Sequence, residues 1–161
     1  MNEGPDLYIG IDPGKSGGIA ATTGDLSIAC KCPTTVADMA RRLDSIVDMG
    51  NKPFAIIESV HSMPGQGVKS TFTFGQGYGS WLGILAAMKV PYMQVTPQKW
   101  MKHYGTMPRI KKDRKHHLKH LAQQRYPELS ITLATSDAIL IAEYCRYHIL
   151  SCNIPTASTL D

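Results

Sequence analysis

Hydrophobic and polar residues alternate in short runs along the first part of the chain, a period typical of β-strands. The runs cover residues 7–12, 19–23 and 26–31, and turns rich in glycine separate them. Connections this short join antiparallel neighbours, because a parallel crossover needs about a dozen residues or more. The pattern therefore predicts three antiparallel strands that form two successive hairpins.

From residue 35 onwards the pattern alternates between helical and strand periods. Thr35 and Asp38 have the spacing of a helix N-cap, and apolar residues follow at helical intervals as far as Val47. The other predicted elements are buried strands over residues 53–58 and 92–95 and helices over residues 72–88, 98–104, 111–126 and 136–150. This order predicts an α/β fold with a mixed five-stranded sheet, three antiparallel strands first, flanked by helices.

Size and composition narrow the class of protein. A chain of 161 residues suits one domain, which we assign to residues 1–152 with a polar C-terminal tail over residues 153–161. Apolar residues make up 43% and charged residues 19%, which is typical of a globular protein and not of a disordered one. Because no apolar run approaches the ~18 residues of a membrane span, we expect no membrane association.

The cysteines and the first residues bear on the compartment. The four cysteines have no CxxC spacing, which favours free thiols in a reducing compartment. The segment over residues 1–6 has the pattern of neither a secretion signal nor a transit peptide. We therefore expect a cytoplasmic protein of a bacterium or a phage-infected host, and an organellar matrix is less favoured.

Positive charge is concentrated in one segment. The formal net charge is +4, and nine of the 17 lysines and arginines lie between Lys99 and Arg125 together with a single acid, Asp113. A solvated helix face and a contact with the phosphate backbone of a nucleic acid both account for such a run. The candidates for phosphate contacts are Lys99, Lys111, Lys112, Arg114, Lys115 and Lys119.

The helix predicted over residues 111–126 is amphipathic. Leu118, Leu121 and Ala122 form its apolar face. The side chains that we expect on the opposite, polar face are Lys112, Lys115, His116 and Lys119.

Three carboxylates fall at the ends of predicted elements. Asp12 ends the first strand, Glu58 ends the fourth and Asp137 opens the last helix. Acids are uncommon in buried strands, because an isolated buried charge is costly. If the first and fourth strands are neighbours, these acids can meet, and oxygen ligands of this kind suit Mg²⁺ or Mn²⁺. The alternative is that Asp12 caps a glycine-rich turn and Asp137 is an ordinary acid at a helix N-terminus.

The segments around these acids form motifs. They read IGIDPG at residues 9–14, AIIE at residues 55–58 and SDAILIA at residues 136–142. Together they resemble the acidic motifs of the RuvC-type Holliday junction resolvases, in the ribonuclease H-like superfamily, and are closest to its phage and organellar members. The resemblance spans roughly residues 7–150 and continues at residues 74–79, 95–102, 111–115 and 126–127.

The resemblance implies a ribonuclease H-like fold and a homodimer that cuts branched DNA, the four-way junction, with Mg²⁺ or Mn²⁺. It implies that Asp12, Glu58 and Asp137 are catalytic metal ligands. It also implies a lysine that helps to place the scissile phosphate or to stabilise its charge. Lys112 is our first candidate for this role, and Lys111 and Lys99 are the alternatives.

One departure from the family concerns the metal. The family usually has a fourth acid three or four residues before the position of Asp137, where this chain has Leu133 and Ala134. Neither side chain can bind a metal ion. The family binds two ions per active site, so this departure puts the second position in question.

Small residues recur every fourth position in the helix predicted over residues 72–88. They are Gly75, Gly79, Gly83 and Ala87. Such a stripe permits close approach of another backbone, although each glycine costs ~1 kcal/mol of helix propensity. Tight packing on the sheet and a dimer interface are both open interpretations, the second because a two-fold dimer suits a two-fold junction.

Aromatic residues begin the same helix. Phe72 and Phe74 follow a loop that contains Lys69, so either ring can stack on an unpaired base beside a phosphate contact. The resemblance favours an aromatic wedge at the junction centre in this region. His61 and Met63 in the loop are rival candidates.

Three other classes of protein share some of these sequence features. Another ribonuclease H-like nuclease would cut flaps or RNA–DNA hybrids, and a non-catalytic junction-binding protein would explain the missing fourth acid. An ATPase of the actin and hexokinase type has a similar first turn but needs two such domains, for which 161 residues are too few. The resolvase remains the favoured function.

Overall fold

The computed structural model describes residues 4–59, 65 and 67–152. Five strands and five helices follow one another there in the order expected from the hydrophobic pattern. They are β1 (Leu7–Asp12), β2 (Gly18–Thr22), β3 (Ser27–Lys31), α1 (Val36–Val47), β4 (Pro53–Glu58), α2 (Val68–Ala87), β5 (Tyr92–Val95), α3 (Pro97–Lys102), α4 (Lys111–Arg125) and α5 (Ser136–Cys152).

The strands form one mixed sheet in the order β3-β2-β1-β4-β5. β2 pairs antiparallel with both β1 and β3, whereas β4 lies parallel to both β1 and β5. The predicted sheet of five strands, three of them antiparallel at the start, is therefore confirmed. β1 and β4 are neighbours, which is the condition for Asp12 and Glu58 to meet at one edge.

The bounds of the helices differ from the prediction mainly at α2. This helix begins at Val68, about one turn before the predicted start, so Phe72 lies within it. Gly67 precedes it without a side-chain capping bond, so no cap residue marks this start in the sequence. At α1, by contrast, the Thr35 side chain accepts a hydrogen bond from the backbone of Asp38 at 3.1 Å, as its spacing predicts.

Two hydrophobic cores cover the two faces of the sheet. On one face Tyr8 and Ile56 pack with α5, α4 and the buried Trp100 of α3. On the other face Ile9 and Ile57 pack with α1 and α2. Successive residues of a strand point to opposite faces, so Gly10, Asp12 and Glu58 belong to the α5 side together with Tyr8 and Ile56.

Glycine in β1 lets α5 lie directly on the sheet. A Cβ atom at Gly10 would stand 2.2 Å from the carbonyl oxygen of Ala138 and 2.3 Å from the backbone nitrogen of Ala142. A Cβ at Gly18 in β2 would meet the carbonyl oxygen of Ala134 at 2.5 Å. Because these positions have no side chains, the first turn of α5 can lie near the end of β1.

The glycine stripe of α2 does not pack on the sheet. A Cβ atom at Gly75, Gly79 or Gly83 would have no heavy atom within 4 Å. Trp81, Leu85 and Ile84 are the buried residues of this helix. The interpretation of the stripe as tight packing on the sheet is therefore wrong, and the stripe together with Ala87 faces outward.

Some of the predicted features fall on residues that the structure does not describe. His61, Met63 and the tail over residues 153–161 lie outside the described residues. Within the described residues, no helix combines the length and the hydropathy needed to cross a membrane.

Candidate active site

The three acids approach one another at one edge of the sheet. Ile11 of β1 is in register with Ile57 of β4, so Asp12 and Glu58 follow side by side where these parallel strands end. Asp137 lies in the first turn of α5. All three are buried, with exposed fractions of 9% for both Asp12 and Glu58 and 2% for Asp137.

Lys115 of α4 lies among these acids. Its ammonium group donates to Oδ2 of Asp137 and stands 3.9 Å from Oδ2 of Asp12. The prediction that Lys115 lies on the face of the helix opposite Leu118 and Ala122 is therefore wrong. Lys115 lies three residues before Leu118 and seven before Ala122, the two buried residues of α4, so it shares their face.

Burial and mutual repulsion act on the carboxylates. Desolvation, with the charges of Glu58 and Asp137, raises the pKa of Asp12 to about 8, against the opposing effect of Lys115. Desolvation also raises the pKa of Glu58, although its hydrogen bond from Trp100 acts in the opposite direction. Burial lowers the pKa of Lys115, but Asp137 and Asp12 outweigh this effect and raise it. The site therefore concentrates negative charge that one ammonium group offsets only in part.

Trp100 contacts the site from α3. Its indole Nε1–H donates a hydrogen bond of 2.7 Å to Oε2 of Glu58, and both side chains are buried. Pro97 stands at the start of α3, and the Thr96 side chain caps this helix by accepting from the backbone of Lys99. These local signals place Trp100 in a helix that directly follows β5, the strand next to β4.

The donor set suits a hard cation, although the carboxylates do not enclose one. Across residues 4–59, 65 and 67–152, no group of three or more His, Cys, Asp or Glu side chains is arranged to hold a metal ion. Mg²⁺ needs fewer protein ligands than that, because one or two carboxylates usually bind it together with water and substrate phosphates. A cation would also relieve the repulsion that raises the pKa of Asp12. The residues present therefore fit one divalent ion.

No further acid completes the set where a fourth is expected. Ala134 has no ligating side chain, and Leu133 is an exposed apolar residue. Glu143, later on α5, accepts three hydrogen bonds of 2.6 to 2.9 Å from the guanidinium of Arg125, and its Oε2 lies 3.4 Å from the Tyr104 hydroxyl. The carboxylate of Glu143 is therefore paired with Arg125, and the guanidinium of Arg125 is in turn paired within the folded protein.

The other basic candidates differ in their exposure and in their contacts. The residues that are exposed are Lys69, Lys99, Lys111 and Lys112, whereas Lys119 is half-buried. Arg114 donates to the carbonyl oxygens of Pro108 at 3.2 Å and Arg109 at 3.3 Å, so it holds the loop before α4. No contact with the acids is seen for Lys112, the first candidate for the catalytic lysine.

The two phenylalanines of α2 have different environments. Phe72 is 66% exposed, whereas Phe74 packs over the turn after β1, where a Cβ on Gly14 would stand 3.2 Å from its ring. Phe74 also lines a groove of about 870 Å³, with Lys15 and Lys69 among the other residues of its wall. Phe72 is therefore the ring free to stack on a ligand, and Phe74 shapes the surface beside Asp12.

Two residues of this site were not singled out as such by the sequence. Lys115 was assigned only to DNA contacts, although its spacing from Leu118 and Ala122 was a signal for the buried face. Trp100 has no such signal. No local pattern predicts that an indole near the start of a short helix donates a hydrogen bond to an acid 42 positions earlier.

The fold is that of solved RuvC structures. A Thermus thermophilus RuvC in complex with Holliday junction substrate matches with 13% identity and a TM-score of 0.57, over 90% of this chain and 95% of that chain. A Thermus thermophilus RuvC structure matches with 14% identity and a TM-score of 0.59, over 90% and 96%. No family model and no curated protein sequence matches the chain. The likeness confirms the ribonuclease H-like fold.

Proposed function

We propose that this protein is a metal-dependent, structure-selective endonuclease that resolves four-way DNA junctions by paired, symmetric phosphodiester hydrolysis. The observation that carries the proposal is the buried group of Asp12, Glu58 and Asp137 at an edge of a RuvC-like sheet, with Lys115 in contact with the two aspartates. Buried acids without a ligand would weaken the fold, which favours a role in binding a cation.

The chemistry follows from the charges of the site. Three ionised carboxylates and the Lys115 ammonium leave two negative charges, which match a single Mg²⁺ or Mn²⁺. Asp12, Glu58 and Asp137 would supply the negative charge for the ion, and one or two of them would bind it directly, with water and the substrate phosphate as its other ligands. The bound ion would activate water and polarise the scissile phosphate. Lys115 would supply positive charge to the same phosphate in place of a second ion. This assignment replaces Lys112 by Lys115 as the catalytic lysine.

Branched DNA is the proposed partner. One of the structurally similar proteins is a RuvC in complex with Holliday junction substrate. In this chain the exposed lysines on α3 and α4, with Lys69 beside the groove, supply positive charge around the acids. Phe72 is the proposed wedge, since its ring is the more exposed of the two. We propose that the protein acts in the cytoplasm of a bacterium or a phage-infected host. We also propose that it belongs to the phage and organellar branch of the family.

The test is a cleavage assay on a synthetic four-way junction. We expect paired nicks with ligatable ends in Mg²⁺ or Mn²⁺, and intact DNA in EDTA. Binding without nicks in either metal would contradict the proposal and favour a non-catalytic junction-binding protein. Preferred cleavage of flaps or RNA–DNA hybrids would identify another ribonuclease H-like nuclease.

Replacing Lys115 by methionine tests the assignment of the lysine. We expect cleavage to fall by about 10²-fold, as for loss of one charge-stabilising group. The metal-free variant should also unfold at a lower temperature, because the buried carboxylates lose their counter-ion. Single-turnover cleavage rates, taken below that temperature, measure the first effect.

The matched control for this experiment is Lys112→Met, on the same helix. An exposed phosphate contact contributes little to the chemical step, so its cleavage rate should stay within about threefold of the unchanged protein. A larger loss for Lys112→Met than for Lys115→Met would restore Lys112 as the catalytic lysine.

A homodimer through α2 completes the proposal. Phe72, Gly75, Gly79 and Gly83 share an exposed face of this helix, and the glycines leave it smooth. A two-fold dimer would present two active sites to the two-fold axis of a junction. Gly75, Gly79, Gly83 and Ala87 are the proposed interface residues.

Replacing Gly79 by leucine tests this interface. A Cβ at this position meets no heavy atom within 4 Å, so the single chain should keep its fold and its circular dichroism. A leucine side chain would hold two copies of α2 apart, and sedimentation velocity should show a shift from dimer to monomer. A dimer that survives the substitution would exclude this face, and a monomeric unchanged protein would exclude the homodimer.

A further inference from the structure

We infer that Trp100 is a positioning residue for Glu58, whose carboxylate it holds in the orientation for a divalent cation. The inference rests on the proposed function, since it assigns Glu58 to the metal. It concerns a residue on α3, the short helix that follows the sheet, and not one of the acids themselves.

The geometry gives the indole one partner in the site. Its Nε1–H donates to Oε2 of Glu58 at 2.7 Å, within the normal range of a good hydrogen bond. The indole nitrogen is a donor only, so this bond fixes one carboxylate oxygen and leaves Oε1 to other ligands. Outer-shell donors of this kind orient metal-ligating carboxylates.

The choice of a neutral donor matters for a cation site. A lysine or an arginine at this position would cancel the charge of Glu58, as Lys115 partly does for Asp12 and Asp137. The indole orients the carboxylate and leaves its full negative charge available. Glu58 is thereby the acid of the three with a neutral hydrogen-bond partner and no ammonium group within 4 Å in the described part of the chain.

The indole is itself held by its surroundings. Trp100 is fully buried, and its ring meets that of Tyr104 edge-on at a centroid distance of 6.2 Å. The Tyr104 hydroxyl donates to the carbonyl oxygen of Leu140 at 2.6 Å. Because Leu140 belongs to α5, as Asp137 does, the position of the indole is tied to the helix that carries another acid of the site.

The chain contains a matched control for this inference. Its two tryptophans, Trp81 and Trp100, are both buried, but they belong to the cores on opposite faces of the sheet. Replacing either by phenylalanine removes similar packing area. The Trp100→Phe change alone removes a hydrogen bond to a carboxylate of the site.

The experiment measures Mn²⁺ binding to the full-length protein without DNA, from the electron paramagnetic resonance signal of free Mn²⁺. We expect Trp100→Phe to weaken Mn²⁺ binding by about 10- to 100-fold. Trp81→Phe should leave the affinity within about threefold, even if both variants lose the same thermal stability. Equal affinities for Trp100→Phe and the unchanged protein would overturn the inference while leaving the proposed function intact.

A second readout does not depend on the folding of Trp100→Phe. Trp81→Phe leaves Trp100 as the single tryptophan, and its fluorescence should be quenched as Mn²⁺ binds beside Glu58. The Trp81→Phe, Glu58→Gln double variant should lose this quenching. Absence of quenching in Trp81→Phe despite Mn²⁺ binding would overturn the inference, and so would absence of any Mn²⁺ binding by the unchanged protein. The proposed function fails separately, if the four-way junction stays intact in both Mg²⁺ and Mn²⁺.

Discussion

Asp12→Asn is expected to lower cleavage of a four-way junction by about 10³-fold or more and to leave junction binding intact. The change keeps the shape of the side chain but removes a charge next to Glu58. Stabilisation of transition-state charge by a bound metal is worth several kcal/mol. Each ~1.4 kcal/mol corresponds to tenfold in rate, so loss of the ion accounts for the size of the effect.

The thermal stability of the Asp12→Asn variant provides an independent test of the same assignment. Burial and the neighbouring acids raise the pKa of Asp12 to about 8, so at neutral pH the metal-free fold must keep its carboxyl group mostly protonated, whereas the unfolded chain releases that proton. This difference in proton binding lowers the stability of the metal-free fold at neutral pH. Asp12→Asn should therefore not lower the unfolding temperature without metal, and it should abolish the rise that Mn²⁺ produces in the unchanged protein. Thermal unfolding with and without Mn²⁺ measures both.

The control for Asp12→Asn is Asp44→Asn on α1. Asp44 is exposed on a helix that packs against the opposite face of the sheet, so the variant should match the unchanged protein in cleavage. If Asp12→Asn nicks junctions at an unchanged rate, the acid is not a metal ligand and the nuclease proposal fails.

Gly10→Ala is expected to lower the free energy of unfolding by about 3 kcal/mol, the upper end of the usual cost of overpacking a core. The added methyl group would lie 2.2 Å from the carbonyl oxygen of Ala138 and 2.3 Å from the backbone nitrogen of Ala142. These are backbone atoms of α5, which cannot rotate away as a flexible side chain can. α5 would have to move off β1 and take Asp137 with it, so cleavage should be lost as well. Urea unfolding measures the change in free energy.

Gly77→Ala provides the matched control for Gly10→Ala. A Cβ at Gly77 has no heavy atom within 4 Å, and the residue lies within α2. Alanine has the higher helix propensity, so stability should be unchanged or rise by up to ~1 kcal/mol. If Gly10→Ala proves as stable as Gly77→Ala, the close approach of α5 to β1 is not a feature of the folded protein.

The strands and most helices could be predicted because their signals are local. β1, β4 and β5 begin and end as their apolar runs do, and Thr35 caps α1 as its spacing indicates. The start of α2 was predicted too late, because Gly67 provides no capping side chain. The fold class followed from the order of these elements.

The site was only partly predictable. Asp12 and Glu58 could be paired because both end strands and because the order of elements makes β1 and β4 candidate neighbours. The role of the small residues in α2 could not be decided, since a helix with one glycine-lined face fits a sheet and a second subunit equally well. The open space at Gly75, Gly79 and Gly83 is a property of how α2 is rotated on the sheet.

The sequence by itself determined which segments become strands and helices and which acids stand at their ends, because hydrophobic period, caps and turns act over a few residues. Only the tertiary structure decided that Lys115 contacts two of those acids, that Trp100 donates to Glu58 and that Gly10 admits α5. These contacts join residues that are 22 to 132 positions apart in the sequence. Their geometry depends on how whole helices are rotated and seated on the sheet, which no local pattern specifies.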